Sequence, residues 1–238
     1  MNSPDAAVLL AAGRGTRLAE ATGDKILHPI RGRPVFAYTL EAFAATETVT
    51  EIVIVYRDGN QRAELETAVT AVPGITPERL HWTAGGKERQ DSVYRGLQCL
   101  PAATQTVFIH DCARPLVRPE QLAELGRLAR EDGAACLAHR IAETVKQTES
   151  GAGSTRRLRL KDLDRERLWA TETPQAFEYG LVLRAYEKAR QAGFSITDDA
   201  AAVSLSGCPV SLLENPHPNP KLTRPRDLAY IRFLLREK

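Results

Sequence analysis

Short apolar runs separated by amphipathic stretches divide the chain at regular intervals. AAVLLAA (6–12), EIVIVY (51–56), QTVFIH (105–110), AACLAH (134–139) and PVSLL (209–213) are brief and rich in apolar or branched side chains. That pattern predicts strands buried on both faces. Between them the spacing becomes helical. PVFAYTLEAFAA opens on Pro34, whose fixed φ suits a first turn. ERQDSVYRGLQCL (88–100) sets Val93, Leu97 and Leu100 on one face, and EQLAELGRLAR (120–130) does the same with Leu122, Leu125 and Leu128. AFEYGLVLRAYEKARQAG (176–193) reads as a further helix that stops at Gly193. The alternation predicts an α/β fold, with a mostly parallel sheet covered by helices on both faces and residues 1–238 forming a single domain. Such sheets bind ligands beyond the carboxyl ends of their strands.

One segment breaks the rhythm. ETVKQTESGAGSTRRLRLKDLDRERLW (143–169) carries a Gly/Ser-rich tip, Ser150 to Ser154, and polar–apolar alternation in RRLRLK. This predicts a β-hairpin arm, within residues 141–168, that projects from the core with one wet face. Its cations Arg156, Arg157, Arg159, Lys161, Arg165 and Arg167 suit either a solvated edge that resists aggregation or a binding surface. The arm has few aromatic residues on which bases could stack, which argues against nucleic acid.

Composition narrows the choice further. The 238 residues are 43% hydrophobic and 26% charged, with a net charge of +2 that is too small to suggest a nucleic acid or an anionic membrane as partner. No apolar run approaches the ~20 residues that span a bilayer. MNSPDAAVLL lacks a basic n-region, so no signal peptide is expected. Cys99, Cys112, Cys136 and Cys208 are scattered without CxxC spacing, as reduced thiols would be, and a cytoplasmic protein is the expectation. None of the five histidines falls in a ligand cluster, which argues against zinc.

Chemistry concentrates first in LLAAGRGTRL (9–18), where a buried strand ends in a Gly-x-Gly turn followed by Arg14, Arg17 and Lys25. The glycines could serve the turn alone. They could equally bring backbone N–H groups close to an anion, and cations beside them suit a polyphosphate. The stretch lacks the Gly-Lys-Ser/Thr of a P-loop and the third glycine of the dinucleotide fingerprint.

Together with GGKERQDSV (85–93), IHDCARP (109–115), ETVKQ (143–147), LDRERLWATETPQAF (163–177), ITDDAAAV (196–203) and NPKLTRPRDL (219–228), this stretch resembles, block by block, the cytidylyltransferases of 2-C-methyl-D-erythritol 4-phosphate. These are nucleotidyltransferases of the non-mevalonate isoprenoid pathway. The resemblance implies a Rossmann-like fold and transfer of CMP from CTP to the polyol phosphate with release of pyrophosphate. It implies Arg17, Lys25, Arg165 and Lys221 as the catalytic cations. Ala11, Ala12, Gly13, Gly15, Gly86, Arg89, Asp91 and Ser92 would hold CTP, and Asp111, Arg114, Thr144, Arg165, Thr197 and Lys221 the acceptor. Mg²⁺ is the implied cofactor, at Asp111, and the arm implies a homodimer in which it reaches the partner's site. Two positions depart from the family's usual pattern: Asp24 stands where proline is common and Ile26 where glutamine is. Three other readings compete with the main one. They are a ribitol-5-phosphate cytidylyltransferase, a sugar-1-phosphate uridylyltransferase, which the arm and TPQ blocks do not fit, and a non-catalytic nucleotide-binding protein, for which four intact cations would have no use.

Overall fold

The structure, a computed structural model, describes residues 4–13, 15, 23–148 and 158–236. Strand β1 (Asp5–Leu10) is buried on both faces and pairs in parallel with β4 (Val49–Tyr56) on one side and β6 (Thr106–Asp111) on the other. β4 pairs in parallel with β5 (Leu80–Ala84). On the far side of β6, the long strand β10 (Trp169–Glu178) runs antiparallel to both β6 and β7 (Ala134–Arg140), and β11 (Ser211–Glu214) closes that edge parallel to β7. Among the described residues the order is β11-β7-β10-β6-β1-β4-β5. The mostly parallel sheet is therefore as the apolar runs predict, with one antiparallel strand set near its middle.

Helices cover both faces, most of them through an apolar stripe. On one side lie α1 (Val35–Ala44), α2 (Gly59–Val69), α4 (Pro119–Asp132) and α7 (Pro225–Leu234), joining Phe36, Leu40, Leu65, Leu125 and Ile231 to Leu9, Ile54 and Phe108 of the sheet. On the other lie α3 (Arg89–Gln98), α5 (Tyr179–Gln191) and α6 (Asp199–Leu205), joining Val93, Leu97, Tyr186 and Val203 to Val8, Val53 and Ile109. Apolar burial on both faces of one sheet is the main stabilising contribution to such a fold. β2 (Pro29–Ile30) and β3 (Arg33–Pro34) form a small hairpin leading into α1. Pro34 thus ends a strand in extended conformation and precedes the first helical turn.

The helix read over 176–193 begins only at Tyr179. Ala176 and Phe177 are fully buried between β6 and β7 as the end of β10, and Glu178 stops the strand by accepting from the Gly180 and Leu181 amides at 2.9 and 2.6 Å. In the segment expected to form a hairpin, β8 (Lys146–Thr148) pairs antiparallel with β9 (Leu160–Asp162), and all six residues are exposed. The tip from Ser150 to Ser154, with Arg156 and Arg157, lies outside the described residues. No helix among the described residues is long and apolar enough to cross a membrane.

Packing of α3 on the sheet is close enough to exclude a methyl group. A Cβ on Gly96 would lie 2.5 Å from Val8 Cγ1 and 3.2 Å from Val55 Cγ2, so the helix could not keep its seat. Gly96→Ala is expected to cost about 1–3 kcal/mol. A lowered urea midpoint at unchanged m-value would record it.

Candidate active site

β1 and β4 to β6 all end at one edge, and the loops leaving them enclose a cleft of about 800 Å³. Its floor is Leu10 to Gly13, directly after β1, and register places Leu10 opposite Asp111 on β6 and Val55 on β4. Residues Gly85 to Arg89 form one wall, with Ser92 behind them, while Lys25, Arg57, Asp111 and Lys221 point charged groups into the space.

Small residues matter here because backbone segments meet. A Cβ on Gly85 would come within 2.6 Å of Ala12 Cβ, and one on Gly86 would collide with Asp91. Gly15 has φ +55°, the left-handed region that favours glycine, and a Cβ there would press on Lys25 Cδ at 2.9 Å. Beside Gly13, by contrast, no described atom lies within 4 Å of where a Cβ would be.

Asp111 sits at the centre of the charges. Its Oδ2 accepts from Lys221 Nζ at 2.6 Å and its Oδ1 from Arg89 Nε at 3.3 Å. Burial pushes the carboxyl pKa up, but Arg89 and Lys221 outweigh it and hold the group well below the usual carboxylate range. Arg89 is fixed from behind: both of its terminal nitrogens donate to the fully buried Asp199, at 2.9 and 2.7 Å, and Tyr186 Oη donates to the same carboxylate at 2.5 Å. Despite burial, Asp199 and Asp111 keep the guanidinium firmly charged.

Lys25 is only 8% exposed and donates to the Leu222 carbonyl at 3.3 Å. Among the described residues no carboxylate comes within 4.0 Å of it. Its pKa is lowered by burial first and by the Lys221 charge second, partly offset by Asp111 and Asp24. An anion entering the cleft would reverse that lowering.

The residues singled out in the sequence divide into three groups. Ala11, Ala12, Gly13, Lys25, Gly86, Arg89, Ser92, Asp111 and Lys221 meet in the cleft, with Gly15 packed against Lys25. Ser92 uses its hydroxyl to stitch the wall, accepting from Gly86 N and donating to Glu88 O at 3.0 and 3.1 Å. Asp91 is not among the lining residues: it accepts from Glu88 N at 3.1 Å and pairs with Arg190 at 2.9 Å, anchoring the start of α3. Arg114 stands behind the cleft and donates to Asn219 O at 2.6 Å. Thr144, Arg165 and Thr197 are exposed and outside the lining, Arg165 donating to Ala142 O at 2.9 Å. Arg14 and Arg17 lie outside the described residues.

Other contributors do not stand out in the sequence. The β10 ladder to β7 is interrupted between Thr171 and Gln175, and the groups released there hold the site together. Thr173 Oγ1 accepts from Asp111 N at 3.1 Å, and Thr173 O accepts from Asn219 Nδ2 at 3.0 Å, two residues before Lys221. Glu172 accepts from Asn215 and Asn219, both at 2.9 Å, and its other oxygen meets His139 at 2.8 Å. Gln175 accepts from Ala200 N at 2.8 Å, fixing the turn that carries Asp199. The TPQ block therefore has a positional role. Thr173 and Asn219 carry no charge, and their contribution depends on backbone geometry.

Residues 6–237 match the family model described as 2-C-methyl-D-erythritol 4-phosphate cytidylyltransferase. The protein of that name from Geobacillus kaustophilus is 39% identical over 229 residues, covering 96% of both chains. A solved structure of the protein so named from Thermus thermophilus superposes with TM-score 0.73 at 29% identity, covering 96% of this chain and 98% of that one. At 22% identity, the structure of 4-diphosphocytidyl-2C-methyl-D-erythritol synthase from Anaerococcus prevotii shares the fold with TM-score 0.84, covering 99% and 97%.

His110, next to Asp111, is fully buried, and burial lowers its pKa from 6.5 to about 4. The unfolded chain therefore binds a proton that the native state refuses between those values, so stability is full above pH 6.5 and falls as pH drops toward 4, by about 3 kcal/mol from this group. Urea midpoints against pH in metal-free buffer should show that slope, and it should flatten in His110→Gln.

Proposed function

The chain belongs to the family of 2-C-methyl-D-erythritol 4-phosphate cytidylyltransferases, and from that premise we propose how its cleft performs the reaction. The protein is a nucleotidyltransferase. An oxygen of the acceptor's phosphate forms a bond to the α-phosphorus of CTP, the bond from that phosphorus to the β-phosphate bridge breaks, and pyrophosphate leaves. A phosphate is already a competent nucleophile at neutral pH, so the work of the site is alignment and charge neutralisation.

The observation that carries this reading is the convergence of Lys25, Lys221 and Asp111 on a cleft floored by Ala11, Ala12 and Gly13. Lys25, with no acidic partner at salt-bridge distance among the described residues, is free to take the charge that builds on the α-phosphate. Arg17 is assigned the same work from its match to the family's LLAAGRGTRL block. Lys221 meets the acceptor's phosphate and Asp111 its hydroxyls, while Arg114 and Thr197, outside the cleft lining, are assigned to the same molecule from their match to the family's blocks alone. Gly85 and Gly86 let the nucleotide approach the backbone, with Ser92 keeping their loop in shape.

Asp111 is the residue that would hold Mg²⁺. Among the described residues no three acidic, His or Cys side chains gather into a metal cage. One carboxylate at the cleft suits an ion that takes most of its oxygens from phosphates and water. When bound, Mg²⁺ would neutralise triphosphate charge and favour departure of pyrophosphate. Exposed Thr144 and Arg165 belong, on this reading, to the acceptor site of a second subunit, making the working form a homodimer; the expected compartment is the cytoplasm. The names of the relatives support the branched acceptor over ribitol 5-phosphate.

Pyrophosphate release measured with a panel of nucleotides and polyol phosphates tests the assignment. Turnover should require CTP and 2-C-methyl-D-erythritol 4-phosphate together and should stop with EDTA. Equal turnover of ribitol 5-phosphate would refute the acceptor, and silence with every acceptor would favour a binding protein. Lys25→Met is expected to lower kcat about 10²-fold or more with a smaller change in KM, as loss of a transition-state contact requires. In sedimentation, a fully active monomer would contradict the shared arm.

A further inference from the structure

Asp24 directly precedes Lys25 and Ile26 of the cleft lining, with a side chain that is only 11% exposed. Its two oxygens are divided between different parts of the molecule. Oδ1 accepts from Ile26 N at 3.2 Å, closing a tight turn around Lys25. Oδ2 accepts from Gln61 Nε2 at 2.6 Å and from Arg57 Nη1 at 2.8 Å. Gln61, itself 1% exposed, donates with the same nitrogen to Ala11 O at 3.1 Å and accepts from Arg57 N at 2.6 Å. One carboxylate thus joins the residue that presents Lys25, the floor of the glycine turn and the end of β4.

We infer that Asp24 is a positioning residue, whose carboxylate locks the Lys25 segment to Gln61, Arg57 and the Ala11 carbonyl and so sets where Lys25 meets the phosphates. A lysine stem has four rotatable bonds, and three contacts constrain this one: Asp24 at the Ile26 amide that follows it, Gly15 along its stem and the Leu222 carbonyl at its tip. Fixing such a group before the reaction removes its reorganisation from the barrier. The inference builds on the role given to Lys25 under Proposed function.

A double-mutant cycle separates positioning from general stability. In Asp24→Asn the side chain keeps its shape but has one oxygen for three donors. Its kcat for pyrophosphate release should fall about 10- to 100-fold, with KM for CTP moving less than about threefold. In a Lys25→Met background the same substitution should cost less than about twofold, because the group it positions is gone. Equal losses in both backgrounds, or no loss in the otherwise natural chain, would overturn the inference while leaving the site assignment intact. A Lys25→Met enzyme with full kcat would overturn the site assignment, and this inference with it. Should Asp24→Asn fail to fold, Asp24→Ser keeps an oxygen for the Ile26 amide and removes the one that Gln61 and Arg57 share, and the same cycle is read with it.

Discussion

The placement of Asp111 between a fixed cation and a movable one governs the rest of the cleft. Arg89 is clamped by Asp199, which is fully buried and holds both terminal nitrogens. Lys221 makes one ionic contact, its side chain is 36% exposed, and it sits on a loop. Groups of this kind add little net stability, since desolvation offsets most of their mutual attraction. Their value lies in arrangement. Without the Asp111 carboxylate, Lys221 and Lys25 would repel each other across the cleft; with it, both stay beside the space where, on the proposed function, phosphate oxygens take the carboxylate's place as partner. The fixed pair keeps Asp111 in place, while Lys221 is held by that single ionic contact.

The fold delivers these groups through sheet geometry and one local break in it. Parallel strands β1, β4, β5 and β6 end on the same side, which brings residues separated by up to about a hundred positions into one cleft. The antiparallel strand β10 then supplies what a regular strand cannot. Between Thr171 and Gln175 its ladder to β7 lapses, and the released polar groups reach β6 through the Asp111 amide, the loop before Lys221 through Asn219, and the start of α6 through Ala200. Buried polar groups away from a ladder must find partners, and here their partners are the supports of the site.

Much of this is legible in the residues because both signals involved are local. Branched apolar runs locate β1, β4, β6, β7 and β11 to within a few residues, and stripes at helical spacing locate α1, α3 and α4. The end of β10 reads as helix because Ala176 and Phe177 continue the apolar spacing of α5. Only the neighbouring strands, which bury both residues, distinguish the two conformations. α2 escapes such a reading because it buries little beyond Gln61 and Leu65 and so has no stripe to detect. Within the site, cations and glycines stand out by type. Asp24 stands out only as a departure from the family's usual proline, with no role attached to it, and Gln61 not at all, since a Gln early in a helix is ordinary until the fold brings the two within hydrogen-bond distance.

The protonation states of the site are consistent with a reaction that moves a phosphoryl-linked group and transfers no proton to the protein. His110 is the histidine nearest Asp111 in sequence, yet it is directed away from a catalytic use. It is fully buried, one ring nitrogen meets Arg114 O at 3.1 Å, and the ring packs on Phe43 at 5.4 Å. Burial keeps it neutral down to about pH 4, so it adds no charge to a site already crowded with cations. Cys112, on the other side of Asp111, is buried and its thiol is pushed far above its usual range, which keeps it protonated and inert. Asp111, held well below the carboxylate range, is a poor base. An acceptor whose nucleophilic oxygen is already ionised needs none of the three to take a proton. What it needs is positive charge held in place, and the polar interior behind the cleft is organised to hold it.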